Sequence, residues 1–539
     1  MRLWLVLLSI LMAAQFAVEA QEPEQPRAAI DIQRFTAGRP VPPASNERLA
    51  QSDVIEAEIG STTVAYRSFV NRTPIMDRYD VYPPANIVSF SYEAVDVDTT
   101  EPRPVIFFFN GGPGSSSIWL HRTAFGPQKT SVIYPVMDDR DVELYTHENE
   151  GFLIDVADLV FVDPVNTGLS RVADDQSFKA FQDLRVDARA MCRFVEVWTE
   201  AEGRQDAPIY LAGASYGSLR IAGMASHPTC RRVRSRVDGL IFISGLLDLR
   251  LRSSDSILKY VAEYPTLAAA TWHRGFVDTD FWNGDRAAYL KAAATYANTV
   301  LGPALAQSYR FSQEETQTVI QDFYNTLGLT VPSSRPFKTI RDAAQVSRLL
   351  LAHPKMVCLN DARFNCKRGH DLHSKLSLEF LGAKLLEDFA DTHWSDLGFE
   401  ASREEYIVLT GNGFRANWDY RFHKSADGGL GTNLARILSN TLMTRTRPLL
   451  AVPPPMNRVI GDSVHMPTIS RKPIPKLMVA SGLHDLNTPW AAMELALLRA
   501  GFESGDFELN LYEGGHMMYL NEQTGYQLAR DIRSFVLKD

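Results

Sequence analysis

The feature that most constrains this chain is a Gly-x-Ser-x-Gly segment, Gly213–Gly217, set between a strand-like run and a helix-like run. The run before it, Pro208–Ala212, is short and apolar, and the residues after it are small and compatible with a helix. Such a strand-to-helix turn holds a serine hydroxyl above the sheet edge, at a helix N-terminus that favours negative charge. The segment predicts Ser215 as a nucleophile. Because short Gly/Ser strings also occur in ordinary loops, the assignment of Ser215 as a nucleophile depends on finding an acid, a base and oxyanion donors elsewhere in the chain.

Composition and the N-terminal residues bear on where the protein works. The chain has 539 residues, 45% of them hydrophobic, and a net charge of −9. Mild acidity gives no reason to expect nucleic acid or an anionic membrane surface as a partner. Met1–Ala20 combines an early arginine, an apolar run and small residues near its end, as a cleavable secretory signal does. No later stretch is long and apolar enough to span a membrane, so we expect an exported protein, periplasmic or extracellular.

The four cysteines form an even set, so one or two disulfides are plausible in an oxidising compartment. Cys358 and Cys366 are close enough in sequence to close a loop. Cys192 and Cys230 can equally pair or remain as buried thiols. Cysteine spacing is not that of a zinc site, and two nearby histidines at 370 and 373 have no evident third ligand. We therefore predict neither a metal nor a cofactor.

Buried strands alternate with helices in two separate parts of the sequence. Continuous apolar runs indicate strands covered on both faces, at 104–110, 157–163 and 237–245. Alternating segments before them are typical of antiparallel strands, at 54–70 and 87–95. After about residue 475, strand, helix and strand patterns return. This order predicts an α/β fold, with a mainly parallel central sheet flanked by helices.

Between the two α/β parts the chain is helix-rich and aromatic, without comparable buried strands. We therefore predict a divided core at 53–249 and 473–539, with a large helical cap insertion at 250–472. A signal peptide at 1–20 and a flexible lead-in at 21–52 precede the core.

Serine-based acyl transfer needs a base, an acid that orients the base, and donors for the oxyanion. Asp485 directly follows the predicted strand at 476–481, and His516 lies on a glycine-rich loop after the next strand. In an α/β-hydrolase the acid and then the histidine follow the serine in this order. Asp163 also follows a buried strand but precedes the serine. We predict a triad of Ser215, Asp485 and His516.

The glycine-rich segment Asn110–Ser117 follows the buried strand at 104–109. Glycines let backbone amides approach an oxyanion without interference from a Cβ. We predict that the oxyanion hole is formed by the amides of Gly112 and Tyr216. A phosphate-binding loop would be the alternative, but the segment lacks the Lys-Ser/Thr ending of such loops.

Five motifs together resemble the serine carboxypeptidase family, of a bacterial, secreted type. They are NGGPGSSS (110–117), DPVNTGLS (163–170), GASYG (213–217), SGLHDLNTP (481–489) and GGHMMY (514–519). The resemblance implies an α/β-hydrolase fold with a cap and removal of C-terminal residues from peptides. It implies the triad roles given above, and roles for Asn110 and Gly111 in holding the terminal carboxylate of the substrate.

The chain departs from that family at two positions. Many members have glutamates that share protons and bind the substrate carboxylate in acid, where this chain has Ala214 and Ala124. Arg122 or Arg220 can replace them as the carboxylate-binding group, since a guanidinium binds a carboxylate through two hydrogen bonds. Ordinary packing roles for both arginines are the alternative.

These observations favour a serine-type carboxypeptidase that acts on peptides through an acyl-enzyme. An esterase or acyltransferase with the same triad, and a non-catalytic binding protein on the same scaffold, are the alternatives. Without the paired glutamates, we expect activity to rise as a histidine loses its proton, at about pH 6–7, rather than to peak in acid.

Overall fold

The computed structural model describes residues 46–77, 82–95, 101–133, 143–172, 177–252, 256–330, 339–340, 356–366, 378–411, 417–420 and 475–538. The predicted signal peptide, most of the lead-in, the histidines at 370 and 373, and the end of the predicted cap lie outside these residues.

The central sheet contains eleven strands, in the order β1-β3-β4-β8-β5-β10-β11-β14-β15, with β2 paired to β3 and β9 to β4. The strands are β1 (Glu47–Gln51), β2 (Ile55–Ile59), β3 (Thr62–Ile75), β4 (Ala85–Ala94), β5 (Val105–Phe109), β8 (Asp158–Val162), β9 (Arg171–Val172), β10 (Ile209–Ala214), β11 (Val237–Ile243), β14 (Lys476–Gly482) and β15 (Glu508–Tyr512). Two separate hairpins pair β6 (Gln128–Ile133) with β7 (Glu143–Glu148), and β12 (Met356–Val357) with β13 (Asn365–Cys366).

The described α-helices are α1 (Ile118–Leu120), α2 (Leu184–Ala201), α3 (Tyr216–Ser226), α4 (Arg231–Arg234), α5 (Ile257–His273), α6 (Arg286–Tyr296), α7 (Gly302–Gln307), α8 (Gln313–Asn325), α9 (Leu378–Phe389), α10 (Trp490–Arg499) and α11 (Glu522–Leu537). Asp183 starts α2 by accepting hydrogen bonds from the amides of Arg185 and Val186, as an N-cap residue does.

Strand β5 shows why the sheet is buried on both faces. Successive side chains of a strand point to opposite faces. Phe107 and Phe109 accordingly join the core under α2, α3 and α10, while Ile106 and Phe108 join the core under α11 and α1. Every residue of β5 is buried, so a continuous apolar run is what this position requires.

The strands from β8 through β15 in the sheet order pair in parallel, whereas β1 to β4 pair in antiparallel fashion. The α/β-hydrolase fold predicted from the sequence is therefore confirmed. Parallel strands direct their carboxyl ends to one edge of the sheet, and the loops after β5, β10, β14 and β15 meet there.

One boundary differs from the sequence prediction. The last residues of the predicted flexible lead-in form β1, which pairs with β3 from Glu47 opposite Arg72 to Gln51 opposite Phe69. The residues of β1 have no alternating apolar pattern, because an edge strand is held by its backbone ladder more than by its side chains.

Helices α5 to α9 and the β12–β13 hairpin occupy the sequence between β11 and β14. An apolar cluster that includes Tyr264, Phe323 and Tyr324 also takes in Leu483 and Leu486, which follow β14. The helical segment therefore packs on the loop that carries Asp485, while its exact limits as a cap remain a prediction. None of the helices in the described part of the chain has the length and apolar character needed to cross a bilayer.

Candidate active site

Ser215 occupies the turn between β10 and α3, in the position predicted from the sequence. Its backbone has φ 56° and ψ −122°, a conformation that residues other than glycine rarely adopt. The amide of Ser215 donates to the carbonyl of Ile243, which fixes the turn against β11. Ser215 is partly exposed while its neighbours on both sides are buried, so the strained turn presents the hydroxyl to solvent.

The two glycines of this turn are needed for close backbone approach. A Cβ at Gly213 would lie 2.3 Å from the carbonyl oxygen of Gly217, inside the turn itself. A Cβ at Gly217 would lie 2.4 Å from the carbonyl oxygen of Phe109, at the end of β5. Any side chain at either position would push α3 away from the sheet and displace Ser215.

Asp485 and His516 are in direct contact. The Nδ1 atom of His516 lies 2.7 Å from Oδ2 of Asp485, and the aspartate is fully buried. The other carboxylate oxygen accepts hydrogen bonds from the amides of Asn487 and Thr488, at 2.9 and 3.0 Å. An Nδ1–H that donates to Asp485 leaves Nε2 of His516 without a proton, as an acceptor. This is the tautomer that a general base requires.

The glycine-rich loop after β5 lies against the Ser215 turn. A Cβ at Gly111 would lie 2.7 Å from the amide nitrogen of Tyr216 and 2.8 Å from Cβ of Ser215. Gly112 follows with φ 107°, a value that suits glycine. Among the described residues, no backbone or side-chain acceptor is bonded to the amides of Gly112 and Tyr216. Both donors are thus available beside the serine.

The loop closed by Cys358 and Cys366 supports both halves of the Asp–His pair. Its Asn360 carbonyl accepts from the amide of His516 at 2.6 Å. Its Ala362 amide donates to the carbonyl of His484, at 2.9 Å, immediately before Asp485. Both cysteine pairs form disulfides in the structure, Cys358 with Cys366 and Cys192 with Cys230.

Arg122 and Arg220, the two arginines predicted as carboxylate-binding groups, are both buried. Arg122 is 2% exposed, forms an ion pair with Asp388 and donates to Gln128 at 3.1 Å. Arg220 is 1% exposed, and its Nε donates to Asp187 at 2.8 Å. Both guanidinium groups are buried and bonded to partners inside the protein, which favours packing roles for them over binding of the substrate carboxylate.

Asn110, the other side chain predicted to bind the substrate, directly follows β5 and is 5% exposed. Its Oδ1 accepts from the amide of Leu120 at 3.2 Å, which orients the amide group. Ala214 and Ala124 are both buried, and their methyl groups belong to the core on the α11 face of the sheet. Neither position supplies a polar group to a substrate.

Asp163, the competing acid, has a separate role. Its Oδ1 accepts from both the amide and the hydroxyl of Ser117, each at 2.8 Å, and from the hydroxyl of Tyr406 at 3.3 Å. Complete burial raises the pKa of this carboxyl to about 6, against the lowering effect of those hydrogen bonds. Asp163 therefore secures the helix after the glycine-rich loop.

One group of side chains beside the Asp–His pair has ligand atoms close enough for a metal ion. Donor atoms of His273, His484 and Glu513 all lie within 4.8 Å of one another. Glu513 accepts from His484 at 3.0 Å, which is the main cause of its lowered pKa, and from Arg286 at 2.8 Å. Arg363 lies 3.7 Å away as well. The carboxylate that a cation would need is already neutralised by protein cations.

Thr488 and Asp187 also contact residues of the candidate site, and neither is among the predicted site residues. The Thr488 hydroxyl lies 2.6 Å from Oδ2 of Asp485 and 3.0 Å from Nδ1 of His516. In the sequence, its position three residues after Asp485, within the turn whose amides bind that carboxylate, indicates such a contact. Asp187, on α2, contacts Arg220. It lies one helical turn after Leu184, on the same buried face of α2, and this spacing indicates a buried charge.

One known protein family has a sequence model that matches part of the chain. Residues 89–328 match the family model described as serine carboxypeptidase. The match spans a little under half of the chain and includes the glycine-rich loop and Ser215, while Asp485 and His516 lie beyond it. By this match the chain is a serine hydrolase of the peptidase class.

Three hydrolases are among the solved structures that are similar to this one. A prohormone-processing carboxypeptidase from Saccharomyces cerevisiae is 15% identical, with 87% of this chain and 91% of that chain covered and a TM-score of 0.41. A proline iminopeptidase from Mycobacterium smegmatis is 10% identical, with 90% and 97% covered and a TM-score of 0.32. A putative aryl esterase from Burkholderia cenocepacia is 12% identical, with 86% and 97% covered and a TM-score of 0.33. No curated protein matches the sequence at a significant level.

Proposed function

We propose that this protein is a serine carboxypeptidase that removes C-terminal residues from peptides through an acyl-enzyme. The observation that carries the proposal is that the Asp485–His516 pair, the strained Ser215 turn and the glycine-rich loop all follow the carboxyl ends of strands in one parallel sheet. The family match over the loop and the nucleophile supports the peptidase reaction.

In this mechanism Ser215 attacks the scissile carbonyl while Nε2 of His516 takes the hydroxyl proton. Asp485 holds the neutral tautomer and then stabilises the imidazolium. The negative charge on the carbonyl oxygen is stabilised by the amides of Gly112 and Tyr216. His516 returns the proton to the leaving amine, and water repeats the sequence on the acyl-enzyme. The chemistry needs no metal or cofactor.

The test of the substrate class compares three matched compounds. They are a blocked dipeptide with a free C-terminal carboxyl, the same dipeptide as its C-terminal amide, and a simple ester of the same acyl group. A carboxypeptidase prefers the free acid, with a kcat/KM at least tenfold above that of the amide. Ester hydrolysis with no preference for the free acid would instead identify an esterase or acyltransferase.

The buried alanines at 124 and 214 are the observation that favours this second candidate, because they remove the usual carboxylate-binding groups. A non-catalytic binding protein is the third candidate. Labelling of Ser215 by a fluorophosphonate excludes it, because phosphonylation requires an activated serine.

We also propose that the protein is exported through a cleavable signal peptide. The pattern of Met1–Ala20 supports export, as does the pairing of all four cysteines, since disulfides persist in oxidising compartments. N-terminal sequencing of the mature protein from a periplasmic or culture fraction would test this, and a mature chain that begins at Met1 would contradict it.

The rate should depend on pH through the general base. A histidine accepts the serine proton only in its neutral form, so kcat/KM should be lower in acid than at neutral pH. The measurement is kcat/KM for the free-acid dipeptide between pH 4 and pH 9. A maximum in the range of about pH 4–5 would show that paired carboxyls bind the substrate after all.

Removal of the Cys358–Cys366 disulfide should lower kcat by about tenfold, because its loop fixes the backbone of both His516 and His484. The measurement is kcat of the Cys358→Ser/Cys366→Ser double variant, together with its free energy of unfolding. Loop-closure entropy for a sequence separation of 8 corresponds to a stability loss of only about 2–3 kcal/mol.

The other disulfide is the matched control. Cys192 and Cys230 are separated by 38 residues, so their removal should cost more stability, about 4 kcal/mol, on the same entropic basis. They tie α2 to the segment before α4, away from the Asp–His pair, and kcat of the folded protein should change less than twofold. Equal losses of kcat in both double variants would show that the effect is general destabilisation.

A further inference from the structure

A buried ion pair joins the two sides of the predicted oxyanion hole. Arg220, on α3, donates through Nε to Oδ2 of Asp187 at 2.8 Å and through Nη1 to the carbonyl of Asn110 at 2.5 Å. Asp187 lies on α2, and Asn110 directly follows β5. One guanidinium group therefore connects two helices and the strand that leads into the glycine-rich loop.

Asp187 also fixes the other side of the hole. The hydroxyl of Tyr216 donates to Oδ2 of Asp187 at 2.9 Å. The guanidinium carbon of Arg220 lies 5.1 Å from the centre of the Tyr216 ring, within the range of a cation–π contact. Tyr216, which supplies one amide of the predicted hole, is thus held by its side chain. The glycine-rich loop, which supplies the Gly112 amide, is held by the carbonyl of its first residue, Asn110.

We propose that Arg220 and Asp187 are positioning residues that set the separation of the Gly112 and Tyr216 amides. This inference rests on the proposed function, because it assigns these amides to an oxyanion. We use the term oxyanion brace for the unit formed by Asp187, Arg220, the Tyr216 side chain and the Asn110 carbonyl.

Charge and burial explain why the unit is rigid. Arg220 and Asp187 are both almost fully buried, and burial raises the pKa of Asp187 while the charge of Arg220 lowers it. An unpaired charge at either position would be strongly unfavourable, so each side chain is held in one arrangement. Donors fixed before the reaction stabilise developing charge without a cost of reorganisation at that moment.

The planar fork of arginine is essential to this role. A lysine at position 220 would retain the positive charge opposite Asp187, but one ammonium cannot reproduce the two directions in which Nε and Nη1 donate. If Arg220 served only as a counter-ion, the Arg220→Lys variant would behave as the wild type. If it positions the hole, the Arg220→Lys variant should lose rate while it keeps more stability than the Arg220→Met variant.

The experiment measures kcat, KM and the affinity of a peptide boronic acid, whose tetrahedral adduct places an oxygen in the hole. We expect Arg220→Met and Arg220→Lys to lower kcat by about 10- to 100-fold, with KM changed less than threefold. The boronic acid should bind more weakly by a similar factor. Fluorophosphonate labelling should slow in parallel, since the Ser215–phosphorus bond forms as fluoride leaves and His516 takes the serine proton.

Arg533 offers a matched control. Its Nε donates to Asp155 at 2.6 Å and its Nη2 to the carbonyl of Phe152 at 3.2 Å, so it also joins an aspartate to a backbone carbonyl. The Arg533→Met variant should lose stability but retain the wild-type affinity for the boronic acid. If Arg220→Met fails to fold, Tyr216→Phe removes only the hydroxyl bond to Asp187 and should lower kcat by about three- to tenfold.

The outcomes separate the two proposals. Wild-type protein that neither hydrolyses peptides nor reacts with the fluorophosphonate would overturn the proposed function and the catalytic role of the brace together. An active wild type with folded Arg220→Lys and Tyr216→Phe variants that keep the wild-type boronic acid affinity would overturn the brace alone.

Discussion

Replacement of Ser215 by alanine should lower peptide turnover by about 10⁴-fold or more while the protein remains folded. Without the hydroxyl no acyl-enzyme forms, and the oxyanion donors and substrate binding provide only the residual rate. The folded state should persist because the strain of the turn is imposed by β10 and α3 and their glycines. The measurements are kcat on the free-acid dipeptide, fluorophosphonate labelling and the thermal unfolding midpoint.

Ser481→Ala is a suitable control for the loss of a serine. Ser481 lies on β14, is fully buried, and its hydroxyl has no hydrogen-bond partner among the described residues. Its removal should leave both turnover and labelling near the wild-type values. Near-normal turnover in the Ser215→Ala variant would show that the nucleophile is another group.

Replacement of Asp485 by asparagine should lower kcat by about 10⁴-fold with little change in KM. An asparagine amide at this position would donate to Nδ1 of His516, which places the imidazole proton on Nε2. Nε2 could then no longer accept from Ser215. The expected signature is a large loss of kcat in a folded protein whose labelling by the fluorophosphonate is slowed to the same degree.

Asp163→Asn is the control for this substitution, because Asp163 is also a fully buried carboxyl at the end of a core strand. Its partners are Ser117, Leu169 and Tyr406 rather than His516. The variant should unfold at a lower temperature but keep kcat within about tenfold. If it instead matched the loss of the Asp485→Asn variant, Asp485 would not be the specific partner of the base.

The parts of the fold that the sequence predicts well are those governed by burial on both faces of a parallel sheet. Strand β5 and most of β8 and β11 are apolar because helices cover both faces of the sheet there. The order of Ser215, Asp485 and His516 could be predicted for a related reason, since each follows a core strand and parallel strands end at the same edge. The structure places Asp485 and His516 in contact, and their catalytic roles stay a proposal.

The roles of Arg122 and Arg220 could not be predicted, because the sequence shows a charge but not its partner. Arg220 pairs with an aspartate on the preceding helix, and Arg122 pairs with Asp388, far away along the chain. The contact of Asn360 with His516 is of the same kind. Non-local pairings of this sort depend on how loops cross the sheet edge, and no local pattern records them.

The division of the core into two sequence segments has a consequence for the order in which activity appears. Ribosomes deliver the N-terminal part first, so Ser215 and the glycine-rich loop can fold before β14 and β15 exist. On the proposed assignment, an incomplete chain of this kind carries the nucleophile but neither the acid nor the base. On the same assignment, activity appears only when β14 and β15 have joined the sheet and brought Asp485 and His516 to its edge.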